Sequence, residues 1–172
     1  MEGAATPLWA LTLSYWLHML STVLWVGSIT ALTLLVIPAA QRTLDTPAYI
    51  ALLEALQRRL DPQGWFCLVL LAGTGMFQLS ANPSYGGVLA IENLWAVAIL
   101  VKHIIFLGMV GISAYFTWGL LPTLRRLALS ISLGKGSPED QARLQRKNTW
   151  LLRLSLLLSA LILALTALAR AA

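Results

Sequence analysis

This 172-residue chain has little cysteine, little histidine and long stretches without charge. Its single cysteine, Cys67, excludes a disulfide framework, a paired-cysteine haem attachment and a four-cysteine iron–sulfur cluster. The only imidazoles are those of His18 and His103, and each lies inside a long apolar stretch. The scarcity of charge bears on the fold class, and the two histidines bear on the chemistry.

The stretches without charge predict helices that cross a membrane. Residues 3–41, 62–91 and 154–169 contain no Asp, Glu, Lys or Arg, and Lys102 alone interrupts 93–124. Hydrophobic residues make up 58% of the chain, and the mean hydropathy is +0.76. A soluble core of this size does not need so much apolar surface. Since about 20 apolar residues cross a bilayer, we expect four spans.

The predicted fold class is all-α: one integral membrane domain, 1–172, forming a four-helix up-and-down bundle. The spans are expected at about 8–37, 65–80, 93–121 and 149–169. Pro38 and Pro122 are expected to end the first and third helices, because proline lacks a backbone N–H.

Two further helical features are predicted at the edges of the spans. Residues 47–60 place Ile50, Leu53, Leu56 and Leu60 on one face, which predicts a short interfacial helix on the cytoplasmic surface. Ser137 is expected to cap the last helix, which then rises from the cytoplasm in one piece.

The positive charges predict the orientation. Most of them fall in two loops, between the first and second spans and between the third and fourth. These are Arg42, Arg58, Arg59, Arg125, Arg126, Lys135, Arg143, Arg146 and Lys147. The positive-inside rule puts both loops in the cytoplasm and both termini outside, in the cytoplasmic membrane of a bacterium. The positive-inside distribution then explains the net charge of +5. The expected partner is therefore the lipid bilayer, and no nucleic acid is implied.

Tryptophan gives a ruler for the depth of the histidines. If Trp9 and Trp95 belong to the outer aromatic belt, His18 lies about 13 Å below the first and His103 about 12 Å below the second. The first and third helices of an up-and-down bundle run in the same direction. The two imidazoles can therefore clasp a planar group such as haem from opposite faces.

The neighbours of the histidines complete the candidate site. Small or flat side chains share the helix face of His18, and a pair of glycines lies on the second helix. Lys102 is an ionisable group inside a predicted span. Its side chain could extend to the membrane surface or contact a haem propionate. The candidate cofactor-binding residues are His18, His103, Lys102, Ser14, Ser21, Trp25, Gly73, Gly75 and Leu107, with His18 and His103 as metal ligands.

Three interpretations of the histidine pair stay open. The first is ligation of haem b, where two axial histidines favour electron transfer over oxygen chemistry. The second is a copper ion, for which Met19, Met76, Met109 and Cys67 would supply sulfur donors. The third is a pair of hydrogen-bonded structural histidines.

Several motifs together resemble the copper-resistance protein D (CopD) domain family, over nearly the whole chain. They are Trp16-Leu17-His18-Met19, Leu24-Trp25-Val26-Gly27, Asn82-Pro83-Ser84-Tyr85, Asn93-Leu94-Trp95-Ala96 and Leu100-Val101-Lys102-His103. The resemblance implies an integral membrane protein linked to copper uptake or tolerance.

The chain is more distantly similar to the HemJ type of protoporphyrinogen oxidase, a small haem-binding membrane bundle. That likeness matches His18 and Lys102 to a histidine and a lysine that matter in the family. The chain departs from it at Leu34-Leu35-Val36-Ile37-Pro38, where that family has a basic, histidine-bearing run.

The expected function is one-electron transfer by a membrane protein that holds one haem b. Its expected partners are other subunits of a membrane redox complex, and quinone at the bundle surface is compatible with the sequence. The alternatives are a CopD-like copper permease and a HemJ-like porphyrinogen oxidase.

Overall fold

The computed structural model describes residues 7–82, 94–133 and 137–171, and within these ranges every element is helical. The first rod consists of α1 (Leu8–Ala31), a π turn (Leu32–Val36) and α2 (Ile37–Thr43). The second is α3 (Thr46–Ser80). The third consists of α4 (Leu94–Tyr115), a second π turn (Phe116–Leu120) and α5 (Leu121–Ser132), and the fourth is α6 (Pro138–Ala171).

The all-helical fold confirms the predicted class, and three rods contain helices long and apolar enough to cross a membrane. These are Leu8–Thr43, Leu94–Ile131 and Ala142–Ala171. The apolar part of α3, 65–80, is helical but shorter than the about 20 residues that a span needs. A crossing at that segment, and the side on which the termini lie, stay predictions.

Pro38 and Pro122 do not end their helices, so this prediction was wrong. Each is the second residue of a new α-helix that continues the rod directly after a π turn. In the first π turn, the N–H of Ile37 donates to the carbonyl of Leu32, five residues back. The wider turn moves the carbonyls away from the proline ring, which removes the clash that ends an ordinary α-helix.

The predicted interfacial helix is helical, but it is not separate. It forms the first part of α3, which runs without interruption from Thr46 to Ser80. Asp45 caps this helix, because its carboxylate accepts a hydrogen bond from the N–H of Ala48 at 3.1 Å. The prediction for α6 is confirmed: Ser137 Oγ accepts from the N–H of Glu139 at 3.2 Å, and the helix runs in one piece to Ala171.

The rods form two hairpins that share one core. α1 packs mainly on α3, and α4 packs mainly on α6. Trp25, Cys67, Leu68, Leu71 and Met109 form a buried cluster at mid-height, to which α6 adds partly buried apolar side chains.

Two landmarks define the ends of the bundle. Trp65 and Trp118 stack with ring centroids 5.3 Å apart. We call the end where α2 and α5 finish and α3 and α6 begin the basic end. The opposite half, which holds both histidines, we call the histidine half.

The two hairpins carry the same residue types at matching positions around their π turns. Thr33 and Thr117, Pro38 and Pro122, and Arg42 and Arg126 occupy matching places around the two π turns. The same offset along the chain pairs His18 with Lys102. The counterpart of His18 in the second hairpin is therefore Lys102 and not its neighbour His103.

Candidate functional site

The His18 imidazole is held by the second rod. Its Nδ1 lies 2.8 Å from Oγ1 of Thr74, and that hydroxyl donates its own hydrogen to the carbonyl of Leu70 at 2.5 Å. A hydroxyl has only one hydrogen, so Thr74 accepts from His18, and Nδ1 carries the proton. The other ring nitrogen, Nε2, is left with a free lone pair, which is the form that binds a metal.

Further hydrogen bonds join α1 and α3 close to His18. Ser14 Oγ donates to the carbonyl of Thr74 at 3.4 Å, and Gln78 Nε2 donates to the carbonyl and hydroxyl of Ser14 at 3.2 and 3.3 Å. A Cβ at Gly75 would stand 3.6 Å from Cε1 of His18, so this glycine lies beside the ring. Gly73 is exposed and a Cβ there would meet nothing within 4 Å, so only one of the glycine pair is near His18.

The stripe of residues predicted to share the face of His18 is the buried face of α1. Ser14, Ser21 and Trp25 are all buried, and Ser21 is only 2% exposed. Trp25 also meets Phe106 of α4 edge to face, with ring centroids 6.4 Å apart. The His18 face therefore lies against both α3 and α4.

His103 makes a similar hydrogen bond, within its own helix. Its Nδ1 lies 2.7 Å from the carbonyl of Ile99, one turn earlier on α4. Because a carbonyl can only accept a hydrogen bond, Nδ1 carries the proton here too. The lone pair of Nε2 is again free. Ligating histidines usually make this kind of hydrogen bond through the second ring nitrogen.

The rotation of α4 favours Lys102 over His103 as the group nearest the core. Ala98 and Met109 are 2% and 1% exposed and mark the core-facing stripe, on which Lys102 also falls. His103 is one residue on, turned by about 100°, and is half-buried. Leu107 is 67% exposed, so it faces outward, and its role beside a cofactor stays a prediction.

The histidine half carries positive charge without carboxylates among the described residues. The ammonium group of Lys102 lies within electrostatic range of His18 and of Arg170, and the Arg170 guanidinium lies 5.5 Å from the centre of the Tyr15 ring. The described acidic residues all belong to the half of the bundle near the basic end: Asp45, Glu54, Asp61, Glu139 and Asp140. An anionic group would therefore be attracted to the region around Lys102.

The sulfur donors named for copper lie away from the histidine face. Cys67 and Met109 are buried together in the central cluster, whereas Met19 and Met76 are 58% and 54% exposed. Among the described residues, no three His, Cys, Asp or Glu side chains come together as a metal-ion site. A haem needs only two axial donors from the protein, so this finding does not bear on it.

A cavity that the sequence did not predict lies closer to the basic end. It has a volume of about 150 Å³ and is only partly enclosed. Trp25, Trp65 and Phe116 give it aromatic walls, and Asp61 and Thr117 give it polar ones. Both π turns contribute to its wall, and turns of this kind are frequent at functional sites.

Asp61 is the unusual group in this cavity. Burial raises the pKa of its carboxyl, and the nearby side chains of Thr117 and Gln57 oppose that rise in part. Around it, Trp65 Nε1 donates to Thr117 Oγ1 at 3.3 Å, and Gln57 Nε2 donates to the carbonyl of Phe116 at 3.4 Å. A signal was present in the sequence, because Asp61 directly borders the uncharged stretch 62–91. An ionisable group at the edge of an apolar span is a functional candidate.

Comparison of the chain with protein-family models, with curated proteins and with solved structures found no match.

Proposed function

We propose that this protein carries one haem b in the histidine half of the bundle and works in one-electron transfer within the cytoplasmic membrane. The observation that supports this most directly is the state of the two imidazoles. Both donate through Nδ1, to Thr74 and to the carbonyl of Ile99, and both keep Nε2 free. Iron is bound by neutral imidazole in this form.

The other residues of the histidine half also fit a haem. Its two propionates are anionic, and Lys102 and Arg170 supply cations without a carboxylate of the described chain to neutralise them. Ser14, Ser21 and Gly75 are small, and Gly75 lies directly beside the His18 ring. In this arrangement His18 and His103 would hold the iron, and Lys102 would hold a propionate.

Bound haem would supply a reversible one-electron centre. The chain sets the properties of that centre through its own groups. Thr74 and the carbonyl of Ile99 make each imidazole a stronger donor by accepting its Nδ1 proton. The apolar helices around the site exclude water and lower the local dielectric constant, which tunes the potential further.

The partner that exchanges electrons is proposed to be a quinone whose head group enters the cavity beside Asp61. A cavity of about 150 Å³ has the size that holds one six-membered ring. Its aromatic walls suit the ring, and the Asp61 carboxyl, when protonated, can donate a hydrogen bond to one of its oxygens. Other subunits of a membrane redox complex remain part of the proposal, as does the orientation with both termini outside.

An optical spectrum tests the proposal. Protein purified in detergent is expected to show a Soret band and a sharp α band on reduction, and His18→Ala and His103→Ala are each expected to abolish the sharp reduced α band. Met19→Ala is the matched control, because Met19 adjoins His18 on α1 but is 58% exposed. Lys102→Ala is expected to weaken haem retention while the axial spectrum persists.

The outcomes also separate the alternatives. Colourless protein with stoichiometric copper would replace haem by a CopD-like copper transport function. Haem-loaded protein that turns over a porphyrinogen would establish the HemJ-like oxidase. Loss of the spectrum with Lys102→Ala but not with His103→Ala would replace the second axial histidine by the lysine that lies on the core stripe.

A further inference from the structure

A second open site lies at the basic end, outside the four-helix core. It is a cleft of about 780 Å³ between the end of α2, the first turns of α3 and the side of α6. Gln41 and Leu44 form one wall, Tyr49 the second, and Arg146, Trp150 and Arg153 part of the third. The cleft is far larger than an inorganic phosphate ion needs.

Tyr49 is the unexplained group in the wall of this cleft. Its side chain is only 2% exposed, and its hydroxyl is buried without a hydrogen-bond partner. The amides of Gln41 and Asn148 are close enough to influence it electrostatically, but neither meets the geometry of a hydrogen bond. A buried donor without a partner costs stability unless a ligand or water completes it.

The charge on the cleft is positive. Arg146 and Arg153 are seven residues apart on α6, so they lie on one face at a separation of about 10 Å along the axis. Neither forms a salt bridge; among the described residues the one ion pair is Arg125 with Glu54, at 3.2 Å. The nearest acidic residue in sequence to the α2 wall, Asp45, is engaged in capping α3.

Trp150 lies between the two arginines and is 62% exposed. Exposed tryptophan beside arginine is typical of the level at which lipid head groups begin. Arg is also the side chain that recognises phosphate through paired hydrogen bonds. Leu44 adds an apolar edge at which an acyl chain can leave the cleft.

From these observations we propose that the cleft binds the phosphate head group of an anionic phospholipid, with Arg146 and Arg153 pairing with the phosphate and the Tyr49 hydroxyl donating to the head group. This site does not depend on haem, so its failure and that of the proposed function are distinguishable.

The test measures the affinity of the full-length protein in detergent for phosphatidylglycerol and for zwitterionic phosphatidylcholine by native mass spectrometry. Arg146→Gln/Arg153→Gln is expected to weaken phosphatidylglycerol binding about tenfold or more. The control Arg58→Gln/Arg59→Gln removes the same charge from exposed residues outside the cleft and is expected to change binding less than about twofold. Arg146→Lys/Arg153→Lys keeps the charge but loses the paired geometry, and is expected to fall between them.

Tyr49→Phe separates the hydroxyl from the packing of the ring. Without anionic lipid it is expected to unfold at the same temperature as wild type or higher, because it removes an unpartnered donor. With phosphatidylglycerol it is expected to gain less thermal stabilisation than wild type. An equal gain would overturn the role given to Tyr49.

Two results would overturn the site as a whole. One is equal loss of phosphatidylglycerol affinity in the cleft variant and in the Arg58/Arg59 control, which would reduce binding to net charge. The other is displacement of phosphatidylglycerol by inorganic phosphate at equal concentration, which would assign the cleft to a soluble phosphate compound instead of a lipid.

Discussion

Replacing Thr74 by valine tests the histidine site without touching a ligand. Valine has nearly the same shape as threonine but cannot accept a hydrogen bond, so the Nδ1 proton of His18 loses its acceptor at 2.8 Å. Thr74→Ser keeps the hydroxyl and is the control. Both variants leave the imidazole and the glycine beside it in place.

The magnitude follows from the burial of the pair. Thr74 and His18 are both half-buried, so an unsatisfied N–H there costs about 1–3 kcal/mol. Loss of a hydrogen bond behind a metal ligand typically weakens metal binding about 10- to 100-fold. We expect Thr74→Val to weaken haem binding by this factor. We also expect its midpoint potential to rise, because a weaker imidazole donor stabilises oxidised iron less.

The assay is a titration of haem-free protein with haem, followed by the Soret band, together with a redox titration of the reconstituted protein. Thr74→Ser is expected to match wild type in both. If Thr74→Val and Thr74→Ser bind haem equally well while His18→Ala does not, the hydrogen bond does not prepare the ligand, and the argument from the free Nε2 is wrong.

Two further predictions concern the core and the cavity. Met109→Ala is expected to lower the free energy of unfolding by about 2–5 kcal/mol, because Met109 is 1% exposed in the central cluster, whereas Met19→Ala at a 58% exposed position stays within about 0.5 kcal/mol. Chemical denaturation in detergent measures both, and equal effects would contradict the assigned core. Asp61 has a raised pKa in the folded state, so the folded protein holds this proton more tightly than the unfolded chain. Stability is therefore expected to fall as the pH rises from the ordinary carboxyl value of about 3.9 through the raised value, and Asp61→Asn is expected to remove that slope from denaturation curves measured across this range. A slope that persists in Asp61→Asn would assign it to another group.

Predictions from the sequence were confirmed where the structure of one segment depends on that segment alone. The helical class, the capping of α6 by Ser137 and the buried stripe of Ser14, Ser21 and Trp25 all follow from composition and from a period of 3.6 residues. The same rules failed at Pro38 and Pro122. At both positions a π turn precedes the proline and lets the rod continue, and α3 also runs on through Pro62.

Part of the candidate site was predictable from the sequence, and part depended on contacts between rods. The sequence identified His18, His103 and Lys102 as the chemically informative groups of the apolar spans, because each is rare there. It could not reveal the hydrogen bond from His18 to Thr74, which joins residues 56 positions apart on different rods. Nor could it reveal the cavity around Asp61, whose wall is assembled from all four rods.

Composition and periodicity were enough to predict a helical chain that is apolar enough for a membrane, since both are properties of each segment taken alone. Which face of each rod meets the others depended on the packing of the bundle, because the rotation of a helix is set by the side chains against which it lies. That rotation put Lys102 on the stripe with Ala98 and Met109 and left Leu107 facing outward.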